Sequence, residues 1–321
     1  MAFKRHNFVD NTVLKAHQLN EMEDAILANE TWTIPEYWQE HIATKVEQVN
    51  NVNGSNGSDG VAFVFITDTH FPHNTGNGVA LINEVIRNTS VRKVFFGGDV
   101  IHCDTIGKEA LTIGRNLVKS FIDNSEVYPM RGNHDISSTV TESKYWDIFY
   151  RNIGRFCHSD GKMYYYSDDE YQKIRYIVLD AVTPESAVGS AYLEQLEWMK
   201  EKISELSNEW SVLLFQHSVW NGGNNALSAH GQALVNSIDD IYDSASCTIV
   251  GILSGHNHTD RYEKRNKGYV LISTGCDRIL DGVTVKDTTT EQLFDVVNIN
   301  LKTKTIKMTR IGRGSDRTIT Y

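Results

Sequence analysis

Short apolar runs recur along the chain, and each stops abruptly at a residue able to bind a metal or carry a proton. Val61 to Thr67 leads into Asp68-Thr69-His70, and Lys93 to Phe96 into Gly97-Gly98-Asp99. Glu126 to Met130 leads into Arg131-Gly132-Asn133-His134-Asp135, Ser211 to Gln216 into His217, and Thr248 to Ser254 into Gly255-His256-Asn257-His258. Runs of this length and make-up predict strands. Helical periodicity is expected over Val79 to Asn88, Lys108 to Ile122, Ser143 to Asn152, Ala191 to Leu206 and Gly231 to Asp243. The alternation is that of βαβ units, whose crossovers bring successive strand ends to the edge of the sheet where ligands bind. Met163 to Tyr166 with Ile174 to Asp180, and the later segments Tyr269 to Thr274, Gln292 to Asn300 and Thr303 to Arg310, predict antiparallel strands. No internal repeat is present.

The first 60 residues follow a different pattern. Val13, Leu14, Leu19, Met22, Ile26 and Leu27 recur on a roughly helical period within residues 12 to 29. Pro35 can start a second helix, on which Trp38, Ile42, Val46 and Val49 form a narrow stripe like a coiled-coil seam. Helices this short need a partner, either the main domain or further copies of the chain. Asn50-Asn-Val-Asn-Gly-Ser-Asn-Gly-Ser-Asp-Gly60 has almost nothing to bury. The expected division is therefore a helical attachment or oligomerisation segment over 1–50, a flexible linker over 51–60 and a catalytic domain over 61–321.

With 321 residues, 40% of them apolar, the chain can bury a large α/β core. A net charge of −10 disfavours non-specific attachment to DNA or to an anionic membrane, and no basic run offsets it. The four cysteines, Cys103, Cys157, Cys247 and Cys276, are scattered, so free thiols are expected rather than a disulfide framework or a thiolate zinc site. The N-terminus lacks the apolar core of an export signal, and no run approaches 18 apolar residues. The expectation is a protein made in the cytoplasm with no membrane span.

Asp68, His70, Asp99, Asn133, His217, His256 and His258, with His134 beside them, are too many ligands for one tetrahedral ion. Two ions sharing a carboxylate use them naturally. A mixed nitrogen and oxygen set without thiolate points to manganese, iron, zinc or nickel rather than magnesium or calcium, with manganese the first expectation. His134 adds a group that titrates near neutrality. Taken in this order, the five stretches resemble the calcineurin-like metallophosphoesterases, over residues 61 to about 310. The resemblance implies a four-layer αββα sandwich. It also implies one metal held by Asp68, His70 and His258, a second held by Asn133, His217 and His256, Asp99 bridging both, and His134 protonating the leaving group of a phosphoester.

One position departs from the commonest family pattern, which has an Asp three residues after the bridging Asp. Here it is His102, as in the branch that contains DNA-repair nucleases, where a His in this place assists phosphate handling. A hydrogen bond from His102 to Asp135 or Asp104 is the alternative. A phosphodiesterase is expected, with a nuclease or cyclic-nucleotide phosphodiesterase, or a non-catalytic tail protein, as rivals. Possible substrate contacts are His73, Arg131, Trp220 and His230, and the loop from Ser218 to Asn225 is a candidate lid. His6, His17, His41 and His158 have no expected catalytic role. Residues 13–26 resemble the N-terminal helical segment of tail and baseplate-associated proteins in phages of Gram-positive bacteria, and residues 310–317 are similar to the ends of phosphoesterase domains in such phages. That resemblance implies attachment of residues 1–50 to phage tail proteins in a virion, self-association with a trimer as first expectation, and a host-envelope phosphodiester such as teichoic acid as substrate.

Overall fold

The apolar runs form two six-stranded sheets. In the first, β1 (Gly60–Ile66), β2 (Lys93–Phe96) and β3 (Glu126–Pro129) run parallel, and β10 (Leu293–Asn300), β11 (Thr305–Gly312) and β12 (Arg317–Thr320) extend it antiparallel on the other side of β1. The order is β12-β11-β10-β1-β2-β3. The second contains β4 (Tyr165–Asp169), β5 (Ile174–Leu179), β6 (Ser211–Gln216), β7 (Thr248–Ser254), β8 (Arg261–Lys264) and β9 (Val270–Ser273), in the order β4-β5-β6-β7-β9-β8. β5 and β6 are buried at every residue, which is why they read as unbroken apolar runs rather than alternating ones. The computed structural model describes residues 34–71, 77–102, 125–136, 141–146, 149, 158, 161–180, 188–222 and 226–321. The expected helices over 12–29 and 108–122, together with His6, His17, His73, Cys103, Asp104 and Cys157, lie outside the described residues.

The sheets pack face to face through aromatic side chains. Phe95 of β2 stacks on Phe215 of β6 at 4.2 Å and on Tyr128 of β3 at 4.3 Å, and Phe63 meets Phe215 edge-on. Helices cover the outer faces. Leu196, Met199 and Ile203 of α3 (Ser190–Ser204) and Leu234, Val235 and Ile238 of α4 (Ala229–Tyr242) bury against the second sheet. α1 (Glu36–Asn56) and α2 (Asn77–Asn88) bury apolar side chains in the core of the first. The result is helix, sheet, sheet, helix, the layering that the resemblance implied.

The expected boundary at 51–60 differs from the structure. α1 continues through Asn56, and a 3-10 turn, Gly57–Asp59, runs straight into β1. Asparagine and glycine are poor helix formers, but here the polar side chains are held by tertiary bonds. Asn50 Nδ2 donates to Asn88 O at 3.0 Å, Asn53 Nδ2 to Ser90 Oγ at 3.0 Å and Asn300 Nδ2 to Asn56 Oδ1 at 3.2 Å, while Asn298 bonds Asn53. Gly57, at φ 55°, takes the left-handed conformation that ends the helix. Trp38, Ile42 and Val49 are buried in the main core, so this stripe is occupied within the chain and does not serve self-association.

Strands β8 and β12 have no counterpart among the expected elements, because each is four residues long and rich in charge or threonine. Two of the segments expected as antiparallel are mixed. β5 pairs antiparallel with β4 but parallel with β6, and β9 pairs antiparallel with β8 but parallel with β7. Of the helix expected over 143–152, Glu142–Tyr145 forms a helical turn, and 147–148 and 150–152 lie outside the described residues.

Candidate metal centre

Because β1, β2 and β3 are parallel, as are β5, β6, β7 and β9, their C-terminal ends share one edge, and the polar residues that stop each run gather there. Asp68, His70 and His258 form one group, Asp99, His217 and His256 a second, and His70, His102 and His134 a third. Within each group the ligand-capable atoms lie within 4.8 Å of one another. Asp99 Oδ2 stands between the first two groups, 3.1 Å from His217 Nε2 and 3.8 Å from His70 Nε2. Asn133 opens the 3-10 turn Asn133–Asp135, where it is exposed next to the half-buried His134.

The backbone here is strained. Asp68, His70, Asp99, His256 and His258 all have positive φ, between 45° and 70°, and they are five of the eight described non-glycine residues that do. Such conformations cost free energy and persist where surrounding contacts enforce them. The contacts are short. A Cβ on Gly132 would run into Asp99 Oδ1 and the Asp99 backbone nitrogen, and one on Gly255 into Thr67 Oγ1 and Asp68 Oδ2. Thr67 Oγ1 donates to Asp68 Oδ2 at 2.6 Å and the His256 N–H donates to the same oxygen at 2.9 Å. The His134 N–H donates to Asp99 Oδ1 at 2.7 Å. His217 Nδ1 lies 2.7 Å from Gly97 O, and donation there turns Nε2 towards Asp99 Oδ2.

The inner atoms face one another without bonding. His258 Nε2 is 3.2 Å from Asp68 Oδ1, and His217 Nε2 is 3.1 Å from Asp99 Oδ2, yet Asp68 Oδ1 and His217 Nε2 are buried with no hydrogen-bond partner of acceptable geometry. His70 Nε2 and His258 Nε2 approach to 3.2 Å. Buried polar atoms left in this way lack a common partner, and the donor set of carboxylates and imidazoles fits divalent cations. The charges agree. Burial pushes the Asp68 acid up, but His258, His70 and His217 outweigh it and hold Asp68 well below the usual carboxylate range; Asp99 is lowered against burial chiefly by His217. Burial lowers His217 and His258, yet the facing carboxylates raise each to about 10, while burial and the His217 charge push His256 down to about 4. Protons on His217 and His258 thus supply positive charge that the buried carboxylates demand.

His102 Nδ1 lies 3.1 Å from His70 Nδ1, and its ring stacks on His134 at 4.5 Å. The Asp135 oxygens accept the Ile101 N–H at 2.9 Å and the Gly132 N–H at 2.8 Å. Burial, reinforced by the charge of Asp99, pushes Asp135 up to about 7. It braces two of the ligand-bearing turns. Thr67 is a neighbour that the sequence marked only as the end of an apolar run, since serving as a brace leaves no signature in spacing.

Three expected substrate contacts are placed elsewhere. Arg131 Nε donates to Asp180 Oδ1 at 2.8 Å, its Nη2 bonds Asp180 Oδ2, and Nη1 pairs with Glu142 at 2.9 Å, so the guanidinium ties β3 to β5. Trp220 is buried, with the Arg261 guanidinium 3.7 Å over its ring, and beside it the Ser228 N–H donates to Val219 O at 2.9 Å. With Val219 and Trp220 both in the core, the described part of the expected lid is anchored. His230 is fully buried near the start of α4, edge-on to Tyr192 at 4.5 Å, and burial lowers its pKa. Cys247 and Cys276 are free and buried, as expected. Among the described residues no helix is long and apolar enough to cross a membrane.

Comparison with known proteins places this geometry. The profile described as calcineurin-like phosphoesterase matches residues 61–260. A dimetal phosphatase from Danio rerio is similar over 81% of this chain and 98% of its own, at 15% identity and a TM-score of 0.56. A purple acid phosphatase from yellow lupin, Lupinus luteus, is similar over 83% of this chain and 54% of its own, at 10% identity and a TM-score of 0.52. At these identities the two structures establish the fold. The search of curated proteins found no match.

Proposed function

The chain belongs to the calcineurin-like phosphoesterase family, a metal-dependent class of phosphoester hydrolases, and from that premise we propose that it is a dinuclear phosphodiesterase. The observation that carries the reading is the pair of three-residue groups meeting at Asp99 Oδ2, each with a buried, unbonded atom turned inward. In this reading Asp68, His70 and His258 would hold one ion and His217 and His256 with Asn133 the other, with Asp99 placed to serve both. When bound, two such ions supply the Lewis acidity that polarises a phosphoryl group and acidifies a water. The chain's own residues do the rest. Asp68 and Asp99, fixed by Thr67 and by the His256 and His134 N–H groups, keep the ligands in place before substrate arrives. His134 is half-exposed, its ring 5.0 Å from His70, with its backbone pinned to Asp99, and it delivers a proton to the leaving oxygen. His102, stacked on His134, orients that ring and assists with the phosphoryl oxygens.

The preference for a diester rests on His102 standing where the commonest pattern has a carboxylate. Manganese is the ion we assign, from the mixed nitrogen and oxygen set. A net charge of −10 favours a short diester over a nucleic acid. A host-envelope polymer such as teichoic acid, with residues 1–50 as the attachment, rests instead on the resemblance of the two ends to phage proteins. Chelation should abolish hydrolysis of bis-p-nitrophenyl phosphate and manganese should restore it, with p-nitrophenyl phosphate turned over more slowly. Activity untouched by chelation would overturn the mechanism, and a preference for the monoester would overturn the diester assignment.

A further inference from the structure

After β9 the chain crosses the rim from the second sheet to the first. Thr274 N–H donates to Ser254 O at 3.1 Å, Asp277 N–H to Thr67 O at 3.0 Å and Arg278 N–H to Asp68 O at 3.1 Å. Arg278 is therefore bonded through its backbone to the residue that begins the candidate metal centre. It is half-buried, and its Nε is buried with no hydrogen-bond partner.

The Nε atoms of Arg265 and Arg317 are also buried and unbonded, but their terminal guanidinium nitrogens reach carboxylates; among the described arginines only Arg278 has neither an ion pair, a side-chain hydrogen bond nor an aromatic face for its guanidinium. Arg87, Arg131, Arg175, Arg265, Arg310 and Arg317 each pair with a carboxylate. Arg92 and Arg313 donate to backbone carbonyls, and Arg261 lies over Trp220. A chain with 41 acidic against 31 basic residues has ample means to satisfy a guanidinium, and it does so at every one of these positions. Taking an arginine partly out of water without an anion is unfavourable. Asp68 does not serve: no ion pair joins it to Arg278, its Oδ2 is held by Thr67 and the His256 N–H, and its Oδ1 faces His258.

We propose that the missing partner is the substrate, and that Arg278 binds the anionic phosphoryl oxygens of a phosphoester beside Asp68. The proposal rests on the phosphoesterase reading above and adds to it a residue outside the span of the family profile. A guanidinium suits this place because its planar fork donates to two oxygens at once, which a lysine cannot match. No proton moves and no bond breaks at Arg278; it contributes to binding, so its effect falls on substrate affinity more than on turnover.

The test is equilibrium binding of inorganic phosphate to the full chain loaded with manganese, for wild type, Arg278→Gln and Arg278→Lys, with metal content and melting temperature measured beside it. Arg278→Gln should weaken phosphate binding by roughly ten- to a hundredfold and raise KM for bis-p-nitrophenyl phosphate more than it lowers kcat, with two metals retained. Arg278→Lys should recover part of the affinity. Phosphate affinity unchanged in Arg278→Gln overturns the proposal while leaving the hydrolase reading intact. A lowered melting temperature in Arg278→Lys with unchanged phosphate affinity assigns the side chain to packing and overturns it equally. Wild-type protein that takes up neither metal nor phosphate removes both readings.

Discussion

At the scale of single residues, Asp99 and His134 are neighbours with separable tasks. Asp99 Oδ2 faces imidazoles of two groups, so Asp99→Asn removes the shared charge and should lower metal content together with activity. The backbone N–H of His134 donates to Asp99 Oδ1, a bond that alanine keeps, so His134→Ala should keep the metals and lose turnover by roughly 10²-fold or more. Equal metal loss in the two variants would contradict the division of roles. The candidate ligands were legible because each lies within four residues of the C-terminal end of a strand, and parallel strands place such residues together. Arg131, Trp220 and His230 were misplaced for a common reason: sequence marks which side chains have chemistry to offer but not which already have a partner. Arg131 is spent on Asp180 and Glu142, Trp220 on Arg261, and His230 on the core. Arg278 is the converse, an unmarked residue that stands out only when the partners of every other described arginine are known.

At the scale of elements, the parts beyond the 61–260 match hold the centre together. Arg310 of β11 is fully buried and bidentate to Asp260 at 2.7 and 2.8 Å, while its Nε donates to Asp295 of β10 at 2.8 Å. Asp260 lies two residues past His258 and also accepts the Gly275 N–H at 3.0 Å, so the C-terminal strands brace the loop that carries His256 and His258. Arg310→Met leaves Asp295 in the core with only Arg317 and Thr274 and takes the bidentate partner from Asp260, so it should cost roughly 3 kcal/mol, read as a lower denaturation midpoint. Loss of affinity on the His258 side should accompany it. α1 makes a parallel case. Trp38 is fully buried in the main core, so Trp38→Ala should cost roughly 3–5 kcal/mol while leaving the oligomeric state unchanged. An unchanged melting temperature would show that α1 is dispensable. The helix was half-legible: its stripe and its start after Pro35 were readable, but its passage through Asn50–Asn56 was not, because the bonds that stabilise it reach Asn88, Ser90, Asn298 and Asn300, far away in the chain. β8 and β12 were missed because four polar residues gain strand conformation only from the neighbour they pair with.

At the scale of the whole molecule, charge links metal binding to pH. In the metal-free protein His217 and His258 are raised to about 10 by Asp68 and Asp99, so both carry protons at neutral pH. A raised folded-state pKa contributes stability that is fully present below the ordinary histidine value near 6.5 and is lost as pH rises through about 10. The chelated protein should therefore melt at progressively lower temperature between pH 7 and 10. Cation binding must displace those protons, so metal affinity should rise with pH by up to about tenfold per unit for each proton released. Affinity independent of pH, with no proton release on titration, would remove His217 and His258 from the ligand set. Both effects presuppose that a cation binds where the carboxylates and imidazoles converge, and direct metal analysis decides that. The chelated protein, reloaded with manganese and freed of excess, should hold two ions per chain, falling towards none in Asp99→Asn and to about one in His258→Ala. Wild-type protein that retains no divalent ion, or that holds two in Asp99→Asn, would contradict the dinuclear centre.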